Sequence, residues 1–175
     1  MKICALLLYF IALSLPLVAH GENFNYLKQI KTRYGLVVFK PDPNDESLLS
    51  DLFINGKKLA KTSGSIAKKW EIGSQDVLLV QDSSNGSSCE ANFSLIIIEN
   101  KVVTISEDFG NCSDLPEISR IKDTLLIKFP RMNRNNPSET EQYENGKLYG
   151  MIFSKAKGEE TKKVRGELKM ERFSF

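Results

Sequence analysis

At 175 residues the chain has room for one domain with its own core, and little room for a second of ordinary size. Its 24 basic and 22 acidic residues nearly cancel, which removes the strong positive field expected of a nucleic-acid-binding or polybasic membrane-binding protein. One histidine and three cysteines narrow the chemistry further.

The first element in chain order is an export signal. Lys2 supplies a short positive region, and Ile3 to Val18 is apolar except for Ser14 and Pro16. Ala19 and Gly21 are small residues two apart, suited to peptidase cleavage after Gly21, or alternatively after Ala19. The apolar stretch is shorter than the ~20 residues a membrane-spanning helix needs, and Pro16 lies inside it. The expectation is a signal peptide over 1–21, a single β-rich domain over 22–175 without a membrane span, and a periplasmic or secreted product. With cleavage after Gly21, His20 leaves with the leader, so the mature chain is expected to have no imidazole and only two cysteines. That excludes Ser-His-Asp and Cys-His catalysis and histidine-based metal centres. Cys89 and Cys112, an even pair in an exported chain, are expected to form a structural disulfide. A redox role would need a much closer spacing, such as C-x-x-C.

Glu22 to Thr32 places Phe24, Leu27 and Ile30 on one side of a short amphipathic helix. From Tyr34 onward the signals are strand and turn. Gly35 to Phe39 is an apolar run stopped by Pro41-Asp42-Pro43-Asn44-Asp45. Leu48 to Ile54 and Lys57 to Lys61 flank Asn55-Gly56, a hairpin signal because both turn positions want positive φ. Ile66 to Ile72 and Asp76 to Gln81 are separated by Gly73-Ser74. Phe93 to Ile98 is continuous and apolar apart from Ser94, the pattern of a strand covered on both faces. Glu99-Asn100 leads into Lys101 to Ser106. Ile118 to Ile121 and Thr124 to Phe129 pair around Lys122-Asp123. Arg131 to Thr140 reads as a loop, Asn145-Gly146 as the turn of a hairpin ending at Phe153, and Lys163 to Phe173 as a last strand. About ten short strands with turn signals every ~8–12 residues predict an all-β, antiparallel sandwich or small barrel. An outer-membrane barrel would demand strict alternation, which Leu95-Ile96-Ile97-Ile98 lacks.

Several stretches carry candidate chemistry. Glu107, Asp108 and Asp114 form the best acidic cluster, near Cys112. A glycosidase pair must face one cleft, whereas neighbours on a strand face opposite ways. No catalytic residue, metal ligand set or cofactor is assigned. Phe109 to Pro116 is a cross-linked corner in which Gly110, Asp114 and Pro116 favour a tight turn. Asn85, Asn92 and Asn111 each begin a glycosylation sequon. The strongest candidate contact surface is Ser63, Gly64, Ser65, Lys68, Lys69 and Trp70. It joins small hydroxyls and two cations to the only tryptophan, a frequent interface anchor. The competing reading places Trp70 in the core with Ile72, and the lysines outside.

Trp70 to Pro130 resembles a set of small exported bacterial β-domain proteins with no assigned activity. The likeness rests on Asp76-Val77-Leu78-Leu79-Val80, the Gly/Ser-rich turn before Cys89, Phe109-Gly110-Asn111-Cys112-Ser113-Asp114 and an apolar strand ending in Pro130. Those proteins have Gly-Gly before the first cysteine and Pro after it, where this chain has Asn85-Gly86 and Glu90. Ser63-Gly64-Ser65 is similar to the Ser-Gly loop of bacterial periplasmic lysozyme inhibitors. These likenesses imply export and a β fold only. The expected function is a non-catalytic module that binds a protein partner of the cell envelope, as an inhibitor or immunity factor against an envelope-directed enzyme, presenting Ser63, Gly64, Ser65, Lys68 and Lys69 to an acidic cleft. The alternatives are a structural envelope component and a hydrolase using Asp108 or Asp114.

Overall fold

A computed structural model describes residues 27–41, 50–62, 64–82, 89, 91–130, 138–156 and 159–175, with side chains described outside 152–165. The expected leader over 1–21 and Ser63 lie outside the described residues.

Fourteen strands follow one another: β1 Gln29–Thr32, β2 Gly35–Pro41, β3 Ser50–Ile54, β4 Lys57–Thr62, β5 Ser65–Ile72, β6 Gln75–Asp82, β7 Asn92–Glu99, β8 Val102–Ser106, β9 Glu117–Ile121, β10 Thr124–Phe129, β11 Ser138–Glu144, β12 Lys147–Ala156, β13 Glu159–Glu167 and β14 Met170–Ser174. They form three antiparallel sheets with strand orders β1-β2-β3-β4, β14-β8-β7-β6-β5 and β13-β12-β11-β10-β9. We call these the N-terminal, central and C-terminal sheets. None closes into a barrel, so the architecture is a sandwich, with one layer more than a two-sheet packing.

The central sheet is the middle layer because two of its strands are apolar on both faces. Val77 and Leu79 of β6 join Phe93, Leu95 and Ile97 of β7 against Leu125, Ile127, Phe129, Tyr143 and Leu148 of the C-terminal sheet. Their neighbours Leu78, Val80, Ile96 and Ile98 pack against Val37, Phe39, Leu52 and Ile54 of the N-terminal sheet. Side chains alternate along a strand, so a continuous apolar run such as Phe93–Ile98 feeds both cores at once. Each side chain buried this way contributes up to ~1.5–3 kcal/mol.

Sequence-local chemistry sets the hairpins. Asn55 and Gly56 have φ of 51° and 82°, and Asn145 and Gly146 have 51° and 78°, the paired positive values of the mirror-image turns that match strand twist. Three expectations need correction, the first being the loop anticipated over Arg131 to Thr140: residues 131–137 lie outside the described residues, and Ser138–Thr140 open strand β11. Where the stretch Glu22 to Thr32 is described it is not the anticipated helix: Leu27 makes an isolated bridge to Ile66, and Gln29–Thr32 is a strand paired with Gly35–Val38. The Thr32 hydroxyl, bonded to the Gly35 carbonyl and accepting from the Tyr34 amide, closes that turn. The single strand anticipated over Lys163 to Phe173 is two strands in different sheets. Gly166, at φ 96°, precedes the break, and buried Leu168 bonds the Leu148 carbonyl before the chain crosses to pair with β8.

One ion pair fastens two layers. Asp76 on β6 is fully buried, and its carboxylate accepts from Nε of Arg33 at 2.5 Å and from the Arg33 backbone amide at 2.6 Å. The same guanidinium donates to the carbonyls of Gly73 and Gln75. The β1–β2 turn therefore caps the β5–β6 turn.

Candidate functional site

Strand β5 does not gather the anticipated contact residues on one surface. A bulge at Ala67 shifts its register against β6, so that Ile66 opposes Val80 while Lys68 opposes Leu79 and Lys69 opposes Leu78. Lys68 and Trp70 consequently face the C-terminal sheet. Lys69 faces the N-terminal sheet, where its ammonium reaches the Lys31 carbonyl at 3.3 Å and Glu71 at 3.0 Å. Trp70 belongs to the core, 9% exposed and packed with Ile72 and Val77, and the Lys68 ammonium lies 5.6 Å from its ring centre. Gly64 has φ 122°, a Cβ there would run into the Gln81 carbonyl, and its own carbonyl accepts from Lys28. Ser65 begins the strand beside it. Glycine at 64 thus has an architectural cause.

The outer face of the N-terminal sheet is a different kind of surface. Residues opposed in the ladder share a face, which gives outward rows Gln29–Val38–Phe53–Lys58 and Lys40–Asp51–Lys61, with Lys31–Leu36 beside them. Leu36 is 45% exposed, and Val38 and Phe53 are half-buried. Exposed Lys31, Lys40, Lys58 and Lys61 surround this apolar centre. The Lys40 ammonium lies 5.0 Å from the Phe53 ring centre, and Lys58 pairs with Asp51 at 2.6 Å. No sequence pattern flagged this face, although Val38 and Phe53 are apolar at the outward positions of strands whose inward positions are also apolar.

A polar cluster stands at one end of the sandwich. The Glu99 carboxylate accepts from the Ser74 hydroxyl and, at 2.9 Å, from the Gln75 amide. The Tyr143 hydroxyl donates to the Gln75 side-chain amide oxygen, Oε1, and that of Tyr34 to the Ser74 backbone carbonyl. Residues of all three sheets thereby meet at the β5–β6 turn. The Ser74 and Gln75 donors hold Glu99 below its ordinary carboxylate range. Burial, with Glu99 nearby, pushes the Tyr143 phenol up to about 12.

The disulfide corner lies elsewhere. Cys89 and Cys112 are bonded, with Cα atoms 4.8 Å apart. Phe109 exchanges backbone bonds with Phe93 and places its ring edge-on to Phe129, which anchors the corner in the core. A Cβ on Gly110 would press on the Phe129 ring at 3.2 Å. Asn111 is buried and donates to the Pro130 carbonyl, so its sequon is inaccessible in the folded protein; Asn85 lies outside the described residues. Glu107 and Asp108 follow β8, beyond its last paired residue. Asp108 is raised by partial desolvation, with Asp82 and Glu107 adding to the effect. None of the cavities at the β5–β6, β7–β8 and β11–β12 turns or between β4 and β14 is lined by Asp108 or Asp114.

No family model, curated protein or solved structure matches this chain.

Proposed function

We propose that the protein is an exported, non-catalytic module of the periplasm or extracellular space that binds a protein partner through the outer face of its N-terminal sheet. The observation that carries this reading is the Leu36–Val38–Phe53 patch ringed by Lys31, Lys40, Lys58 and Lys61. An apolar centre inside a charged rim is the general anatomy of a protein interface, and the rim fits a partner with acidic borders. A disulfide supports an oxidising compartment. The chain's single histidine, His20, within the expected leader, supports binding over acid–base catalysis. Inhibition of an envelope enzyme, or immunity to one, is the role such a module would perform.

The test uses the mature domain as bait in envelope extract. The expected result is a captured protein that is lost with Lys40→Glu/Lys61→Glu and retained with Lys122→Glu/Lys128→Glu, an equal charge change on the opposite outer layer. Capture unaffected by the first pair, or no captured protein, contradicts the proposal.

A further inference from the structure

The C-terminal-sheet side of the central sheet carries, along β8 and β14, two adjoining cavities of about 270 and 570 Å³ that share Gln75, Thr104, Gly146 and Arg172. The register explains this floor. Ile97 opposes Thr104 and Thr104 opposes Arg172, so these three side chains form one row on the same face. The β11–β12 turn makes the rim at Gly146. The smaller cavity also holds Glu99.

We propose that this groove binds a small zwitterion of the amino-acid or short-peptide class, its ammonium at Glu99 and its carboxylate at Arg172. The site is distinct from the lysine-rimmed face, and the proposal does not rest on that reading.

Three observations carry it. First, Glu99 and Arg172 line one cavity without pairing with each other, and neither forms an ion pair with another described residue. Two unlike charges left unsatisfied across a concave surface are complementary to a ligand that carries both. Second, Glu99 is positioned before any ligand arrives. Tyr143 donates to the oxygen of the Gln75 side chain, which turns the amide nitrogen toward Glu99, and Ser74 holds the other carboxylate oxygen. Each carboxylate oxygen keeps a second lone pair for an incoming ammonium. Third, Arg172 is exposed, makes no side-chain hydrogen bond among the described residues, and offers a planar donor fork matched to a carboxylate. The smaller cavity lies just below the ~300–1,000 Å³ range of drug-sized sites, which limits the ligand to one or two residues. Ile97 and Val102 add a modest apolar floor.

The experiment is a titration of the mature protein with Ala-Ala, followed by amide resonances. N-acetyl-Ala-Ala, which lacks the ammonium, and Ala-Ala-amide, which lacks the carboxylate, serve as controls. Ala-Ala is expected to shift Gln75, Thr104 and Gly146 saturably, and either capped form to bind about tenfold more weakly, the loss of one charge-assisted contact. Arg172→Gln, at an exposed position that does not threaten folding, is expected to weaken Ala-Ala about tenfold and to abolish the penalty of the C-terminal amide. Equal binding of the capped and uncapped peptides, saturable shifts elsewhere only, or no saturable shift would each overturn the proposal.

Discussion

Asp108 shows how a residue that invites a catalytic reading has a simpler physical content. Its carboxyl is raised because ionisation is penalised by partial desolvation, with Asp82 and Glu107 adding to the cost. A carboxyl raised in the folded state stabilises the fold while protonated, and that contribution is lost as pH rises through the folded value. Asp108→Asn should therefore raise the melting temperature modestly at pH 7, and the gap should close on moving to acid. Thermal melts of both proteins across pH 4–8 check this. A variant less stable at neutral pH would show that the carboxylate is held by favourable contacts. Other residue-level features were not legible in advance. Gln75, Glu99, Tyr143 and Arg172 are far apart in the chain, and only the folded ladder brings them to one end. Lys68 and Lys69 are the reverse case. Adjacent residues on a strand face opposite ways, so alternation alone argued against reading them as one patch.

At the scale of elements, the sequence was most informative where local chemistry decides. Asn55-Gly56 and Asn145-Gly146 turn as their residue types require, and Phe93–Ile98 is covered on both faces as its run, apolar apart from Ser94, implied. It was least informative where the partner decides. Leu27 and Ile30 fit a helical spacing, yet Ile30 opposes Val37 in a hairpin, and Leu27 bridges to Ile66. Sheet assignment was likewise invisible, because hairpin signals say which strands are neighbours and not which hairpins share a sheet. The Arg33–Asp76 pair, 43 residues apart, is part of what holds two sheets together. Arg33→Ala would leave the fully buried carboxylate with the residue-33 backbone amide but without its counter-charge, and should cost about 1–3 kcal/mol in urea unfolding. The double variant with Asp76→Ala should cost clearly less than the two single losses summed. Additivity would mean that the two side chains act independently.

Across the whole molecule, three layers divide the work. Strands β6 and β7 of the central sheet spend both faces on packing, which leaves the outer faces of the flanking sheets, the ends of the sandwich and the β8–β14 margin of the central sheet to meet other molecules. The near-neutral total charge hides an uneven distribution, with lysines drawn up around one outward apolar patch. Composition could report the total but not the arrangement, since Lys31, Lys40, Lys58 and Lys61 come from three strands. The disulfide and the Phe109 corner serve the frame more than the contact surface. The most direct measurement is a lysine-acylation footprint of the mature protein, alone and in complex with its captured partner. Lys31, Lys40, Lys58 and Lys61 are expected to lose reactivity in the complex while Lys122 and Lys128 keep theirs. Protection at Lys122 and Lys128, or at none of these lysines, would contradict the account.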